Sequence, residues 1–175
     1  MSQKRPYHFC HSCGSPYEPH ILGSLELPCH VCGMESYRNP TPVSVVLIPH
    51  ENGLITVRRN IEPRKGKLAL PGGFIVLGES WRAGGAREAH EEAQVLIEHP
   101  DVAIAPHMIE SIPNGTQIII FGHVAVSQKM TVFPFAPNDE ATERIVVTRQ
   151  NFDLYRDEFA FPLHIKAVER YFQDT

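Results

Sequence analysis

The sequence predicts a mixed α/β fold in two parts, a short cysteine-bearing segment over residues 1–38 and a larger domain over residues 39–175. Three observations carry this reading. All four cysteines fall within the first 32 residues. Further along, short apolar runs bounded by turn residues read as strands. Two longer segments, Ser80 to about Ala93 and Phe161 to Phe172, read as helices.

The cysteine segment comes first. Cys10, Cys13, Cys29 and Cys32 form C-x2-C, fifteen residues, then C-x2-C. Each pair sets two thiolates on one tight turn, and two such turns suit a tetrahedral zinc ribbon. Gly14 and Gly33 follow the second cysteine of each pair, where the turn favours a residue without a Cβ. Two disulfides or four free thiols are the blander alternatives. Four thiolates leave no open position on the ion, so the Zn2+ is expected to be structural. So short a segment buries little core, and metal binding would supply its folding energy. Phe9 and Pro28 precede the knuckles and are expected to cover the site. His11, His20 and His30 are read as surface residues.

Asn39-Pro40-Thr41-Pro42 is a turn-forming link, and Val43 to Pro49 a buried strand. Glu51-Asn52-Gly53 turns into a returning strand, Leu54 to Arg58. Ile61 to Lys67 is a charged loop, and Leu68-Ala69-Leu70 leads into Pro71-Gly72-Gly73-Phe74. Ser80 is the expected N-cap of the first helix. Val95 to Glu98, Met108 to Ser111, Gln117 to Val126 and Arg144 to Thr148 are further strands. In the closing helix, Leu163, Ala167, Val168, Tyr171 and Phe172 recur at helical spacing. Glu110 reads as a sheet-edge residue.

Composition bounds the function. With 175 residues, 42% hydrophobic and 21% charged, the chain can bury a core without disulfides. Its formal net charge of -4 argues against a dedicated nucleic-acid binder, which usually shows a basic face. Lys4 and Arg5 are not followed by an apolar run, so a secretory leader is not expected. No apolar stretch approaches the roughly 20 residues of a membrane helix, and a cytoplasmic protein is expected.

The chemistry concentrates between Gly73 and Val95. This stretch fits G-x5-E-x7-R-E-x2-E-E at Gly73, Glu79, Arg87, Glu88, Glu91 and Glu92. By average residue usage, a chance match has odds on the order of one in 10^5. On a helix, Glu88, Glu91 and Glu92 share one face. Their repulsion would cost a few tenths of a kcal/mol per pair, roughly, unless a hard cation reverses its sign. Oxygen ligands favour Mg2+ or Mn2+, ions that bind phosphates and activate water. Arg87 is placed to pair with Glu79 and hold the preceding loop. Gly72 and Gly73 allow close backbone approach, and Gly84 and Gly85 suit tight helix-to-sheet packing.

These positions resemble the signature of the Nudix hydrolase family. The resemblance covers roughly residues 40–172 and implies an α/β/α sandwich on a mixed sheet. It implies that Glu88, Glu91 and Glu92 carry the catalytic metals. The family continues with any residue, a glycine and an aliphatic residue, where this chain has Ala93, Gln94 and Val95. Gln94 replaces the glycine that ends the family's helix, so a different helix end is expected. A narrower resemblance, to ribbon-bearing members, rests on Tyr37, Asn39 and Pro40, on Arg59 to Gly66 and on Ala160 to Pro162. Those members include pyrophosphatases of ADP-ribose and FAD, and NADH diphosphatases. The Ser-Gln-Pro-Trp-Pro-Phe-Pro-x-Ser run of the NADH group is absent, since the one Trp is Trp81. The coenzyme A motif is not fully met. ADP-ribose or FAD is therefore favoured over NADH and coenzyme A.

Arg58, Arg59, Arg64, Lys65 and Lys67 cluster before the signature, and Arg59 or Arg64 is the expected phosphate contact. Phe74 reads first as a core residue and second as a base-stacking one. In the family, a glutamate from a later loop often binds metal or acts as base. Glu143, then Glu140, are the matching candidates here, beside Glu91 within the signature. The rival function class is a nucleotide-sensing or nucleic-acid-binding module that uses the ribbon. Family members are often dimeric, so a homodimer is one expected assembly.

Overall fold

A computed structural model describes residues 8–125 and 127–174. Lys4, Arg5 and Val126, the expected end of a strand, lie outside the described residues. The chain divides into two compact units, residues 1–40 and 41–175.

In the first unit, β1 (Glu26–Pro28) pairs antiparallel with β2 (Glu35–Tyr37). Strand alternation turns Leu27 and Ser36 inward and their neighbours outward. Cys10, Tyr17, Leu27 and Cys29 form the small core, with Ile21 and Leu22 packed against it. Phe9 and Pro28, expected to cover the cysteines, are exposed instead. Pro28 faces outward because Leu27 takes the inward position; Tyr17 and Leu27 pack with Cys10 and Cys29, while Cys13 and Cys32 stay exposed. His11, His20 and His30 are exposed, as read from the sequence.

The second unit is an α/β/α sandwich on mixed sheets. β3 (Thr41–Leu47) runs on into β4 (Pro49–His50), and the hairpin returns as β5 (Gly53–Arg59). β6 (Leu68–Ala69) pairs β5, and β7 (Gly72–Phe74) pairs β3 antiparallel. Helix α1 (Trp81–Ala93) follows, then β8 (Val95–Ile97), the short helix α2 (Pro100–Ala103) and β9 (Ile104–Ser111). β10 (Gln117–Val124), β11 (Met130–Val132) and β12 (Ala141–Thr148) complete the strands. Short α3 (Phe152–Tyr155) and α4 (Pro162–Asp174) close the unit.

One sheet has the order β7-β3-β10-β9, with β3 and β10 parallel and the rest antiparallel. A second has the order β12-β5-β4, with β6 beside β5. β3 explains the layering. Val45 and Leu47 enter a core shared with Ala167, Val168 and Phe172 of α4. Val46 and Ile48, of opposite parity, enter a core shared with Ala89 and Ala93 of α1. A strand buried on both faces reads as a continuous apolar run, as this one does.

Several elements depart from expectation. Thr41 and Pro42, expected in the link, begin β3, because β10 supplies a parallel partner from Gln117 onward. β9 starts at Ile104 rather than Met108; a register shift at Phe121/Gly122 of β10 accommodates Pro106, which has no N–H to give a ladder. β12 starts three residues before Arg144 because β5 continues alongside it as far as Arg59.

Helix α1 opens where expected. The Ser80 hydroxyl accepts from Ala83 N at 3.1 Å. Its other end rests on Gln94. Gln94 takes the left-handed cap conformation (φ 55°, ψ 44°) that a glycine would supply. Gln94 Nε2 donates to Ala136 O at 2.6 Å and Ala136 N donates to Gln94 Oε1 at 2.9 Å. These two bonds offset the roughly 1–2 kcal/mol that the conformation costs a residue with a Cβ. The helix thus ends on side-chain bonds that a glycine could not make.

Among the described residues, no helix is long and apolar enough to cross a membrane.

Candidate functional site

The segment entering α1 is shaped by contacts that leave no room for side chains. A Cβ on Gly72 would lie 2.5 Å from Ser44 O of β3. A Cβ on Gly73 would lie 2.3 Å from Glu88 Oε1, so the absent side chain is the space that Glu88 occupies. Gly85 packs on β3 in the same way, with Val46 Cγ2 2.5 Å from its virtual Cβ, whereas a Cβ on Gly84 would lie 2.8 Å from Glu79 Oε1.

Arg87 fastens this segment to the helix. Its Nη2 donates to Glu79 Oε1 and to Phe74 O, each at 3.0 Å, and its Nε reaches Glu79 Oε2 at 3.2 Å. Its Nη1 donates to Glu88 Oε1 and Glu91 Oε2, both at 2.8 Å. Surrounded by carboxylates, the Arg87 guanidinium is held charged well above its ordinary range. Hydrogen bonds from Arg87 and from Val76 N hold Glu79 below the usual carboxylate range.

Glu88 and Glu92 are the buried carboxylates, 8% and 5% exposed. Gly72 N donates to Glu92 Oε2 at 3.0 Å. Burial raises the Glu92 pKa to about 8; the Gly72 N–H pulls it down, and the charges of Glu88 and Glu140 push it further up. Burial also raises Glu88, against the lowering hydrogen bond from Arg87. Glu140, in the loop before β12, joins them. One ligand oxygen from each of Glu88, Glu92 and Glu140 lies within 4.8 Å of the others. Three carboxylates so close, two of them buried, are a poor arrangement for anions alone and a good one for a hard divalent cation.

Glu91 is exposed and engaged by Arg87. Glu143 stands apart from the three. Its carboxylate accepts from Arg58 Nε at 2.6 Å, and Arg58 Nη1 reaches Glu158 Oε2 and Gly66 O, both at 2.9 Å. A register shift between Ala141 and Glu143 separates the two glutamate positions. Arg59 donates to Pro63 O at 3.0 Å, lies over the Phe161 ring at 5.2 Å, and its charge lowers Glu92. Arg64 and Lys65 are exposed on the loop, and Arg64 has φ 68°. Phe74 is 53% exposed, which corrects its reading as a core residue: it ends a three-residue edge strand.

Sequence reasoning missed Arg58 as the brace of the basic loop, and missed Asn60 and Asn138. An Asn-Asp pair before a strand signals a turn. Nothing local signals its distant partners.

In the first unit, one ligand sulfur from each of Cys10, Cys13, Cys29 and Cys32 lies within 4.8 Å of the others. Gly14 N donates to Cys10 O and Gly33 N to Cys29 O, each at 2.9 Å, and both glycines have positive φ. Bonds from Ser15 lower the Cys13 thiol to about 6, and the Cys13 N–H lowers Cys10. At Cys32 the Met34 N–H lowers the pKa, but the neighbouring cysteines and burial outweigh it and raise the thiol to about 11. A soft divalent ion would let all four be thiolates at once.

A cavity of about 580 Å³, lined by residues that include His50, Asn52, Arg149 and Tyr171, shares no residue with the carboxylate group.

Comparison with known proteins adds the following. The sequence profile of the NUDIX domain matches residues 38–160. The NAD-capped RNA hydrolase NudC of Stutzerimonas stutzeri (strain A1501) is 36% identical over 107 residues, 60% of this chain and 36% of that protein. The chain thus spans about a third of the length of the curated relatives it matches. A NUDIX hydrolase from Nitrosomonas europaea superposes with a TM-score of 0.77 at 26% identity, over 95% of this chain and 90% of that one. A bifunctional NMN adenylyltransferase/ADP ribose pyrophosphatase from Francisella tularensis, in complex with AMP and a manganese ion, gives a TM-score of 0.66 at 21% identity. That match spans 79% of this chain and 42% of the other, and shows a shared fold.

Proposed function

This chain belongs to the NUDIX domain family, whose profile covers residues 38–160, and we propose that it is a pyrophosphohydrolase. It adds water across the pyrophosphate bond of a nucleoside diphosphate joined to a second moiety and releases two monophosphates. The observation that carries this is the convergence of Glu88, Glu92 and Glu140, with Arg59 at the end of β5 near enough for its charge to act on Glu92.

Glu88, Glu92 and Glu140 would hold Mg2+ or Mn2+. When bound, the ion supplies positive charge to the phosphate oxygens and acidifies an attacking water. The chain's own residues do the rest. Gly72 N–H orients Glu92. Arg87 fixes Glu88 and keeps the Phe74–Glu79 segment against the helix. Arg59, whose charge already acts on Glu92, and exposed Arg64 would take phosphate charge. Exposed Phe74 offers a face for a base. Glu91, on the helix face of Glu88 and Glu92, is the candidate proton acceptor or further oxygen ligand, whereas Glu143 is committed to Arg58. Cys10, Cys13, Cys29 and Cys32 would hold a structural Zn2+, which suits a reducing compartment such as the cytoplasm.

ADP-ribose and FAD remain the leading substrates. A second reading, NAD-capped RNA, is favoured by the names of the curated relatives. The deciding assay follows product release with Mg2+ or Mn2+ from ADP-ribose, FAD, NADH, coenzyme A, nucleoside triphosphates and an NAD-capped oligonucleotide. One substrate should dominate. Glu92→Gln should lower kcat on it by on the order of a hundredfold or more, since it removes a ligand of the activating ion. Unchanged turnover in Glu92→Gln would overturn the mechanism.

A further inference from the structure

Glu140 lies in a loop, yet one of its oxygens comes within 4.8 Å of oxygens of two buried helix carboxylates. Loops of this kind are ordinarily the mobile part of a site. What holds this one is Asn138, which makes five hydrogen bonds through four groups. Its side-chain Oδ1 accepts from Glu140 N at 2.9 Å and from Ala141 N at 2.8 Å. Its backbone N donates to Ala141 O at 2.8 Å, and its backbone O accepts from Asn60 Nδ2 at 3.1 Å. The fifth bond leaves the loop: Asn138 Nδ2 donates to Glu91 O of α1 at 2.9 Å. Asn60 N donates to Glu140 O at 2.7 Å and ties the same residue to the end of β5.

We infer that Asn138 is a positioning residue, which docks the Glu140 loop on the backbone of the helix carrying Glu88 and Glu92 and so assembles the third carboxylate of the site. This rests on the reading of those three carboxylates as one cation site. The physical reason is direct. A carbonyl in the last turn of a helix has no intrahelical partner and takes a donor from outside. Asn supplies that donor, while its oxygen holds the turn bearing Glu140.

Two substitutions separate the parts. Asn138→Asp keeps the oxygen that accepts from Glu140 N and Ala141 N but sets a carboxylate against Glu91 O. Asn138→Ser is neutral and can accept in the turn, but is too short to reach the helix. Mn2+ binding to the full chain, titrated by electron paramagnetic resonance, is the readout, with near-ultraviolet circular dichroism of Trp81 as the check on folding. Mn2+ prefers oxygen ligands to thiolates, so it reports on the carboxylates. Both variants should bind Mn2+ about tenfold more weakly, as loss of an outer-shell partner typically does. In Asn138→Asp that loss runs against the added negative charge, so charge does not explain it. Glu140→Gln should weaken binding similarly, and adding Asn138→Asp to it should cost little more. Wild-type affinity in either folded Asn138 variant, or a full further loss on the Glu140→Gln background, would overturn the assignment. If the wild type binds Mn2+ but hydrolyses nothing in the substrate panel, the proposed reaction fails and this assignment stands.

Discussion

Cys10, Cys13, Cys29 and Cys32 reach one another from two tight turns, each stabilised by its own backbone bonds. Glu88, Glu92 and Glu140 reach one another from a helix and a later loop, and they depend on glycines in β7 and on bonds that cross the domain. The first group is local in construction and the second is assembled. A local site should fail when its ligands are lost and tolerate most else. An assembled site should also fail through residues that never touch the ion.

The largest test of this contrast lies in the ribbon. Cys29→Ser removes one of four ligands from a unit whose buried core is Cys10, Tyr17, Leu27 and Cys29. Structural zinc contributes about 10 kcal/mol or more to folding such a unit. The substitution should take bound zinc, measured by atomic absorption, from one ion per chain to none, and abolish ordered exchange protection over β1 and β2. Retention of a full equivalent of zinc would break the idea that four thiolates form the site.

The contrast also explains what could be read from sequence. Paired C-x2-C spacing is local, so the convergence of the four cysteines was legible residue by residue. Helix α1 was legible because its cap, its acidic face and its arginine fall within one periodic stretch. Strands as short as β4 and β11 left too few residues for a period to register. Glu140 and Glu143 were not separable in advance. The register shift between Ala141 and Glu143 breaks the alternation by which inward residues are counted, and Arg58 claims Glu143 from another strand. Phe74 has the composition of a core residue, but the end of a short edge strand has no neighbour to bury it. Asn138 advertises a turn, and its partner on α1 comes only from the tertiary fold.

The next test concerns a residue outside the carboxylate group. His164 of α4 accepts from Leu70 N at 3.0 Å, just before the Pro71-Gly72-Gly73 segment that shapes the Glu88 and Glu92 surroundings. Burial pushes its pKa down to about 3, and the charge of Arg59 adds to this. The depressed value sets the sign. Above the ordinary histidine pKa near 6.5 both folded and unfolded chains hold it neutral, and its contribution is complete. As pH falls through 6.5 toward 3, the unfolded chain gains a proton that the folded chain refuses, and stability is lost by roughly 2–3 kcal/mol at pH 4.5. Asn keeps an acceptor without titrating. His164→Asn should therefore flatten this part of the denaturation-against-pH curve, and an unaltered slope would exclude His164 as its source.

The smallest expected effect belongs to Gln94, where the local and the assembled meet in one residue. Its left-handed backbone is a local cost, and its paired bonds with Ala136 are a distant gain. Gln94→Gly removes both, so the two changes should nearly cancel, to within about 1 kcal/mol. Gln94→Ala removes the bonds and keeps most of the strain, and should destabilise by about 1–2 kcal/mol. Urea unfolding of the two variants reads the difference directly. If the glycine variant were clearly the more stable of glycine and wild type, the Ala136 bonds would contribute little and the cap would be governed by backbone strain alone. If it were as unstable as the alanine variant, strain would be negligible. The order wild type near glycine, both above alanine, is what a helix end held from across the domain requires.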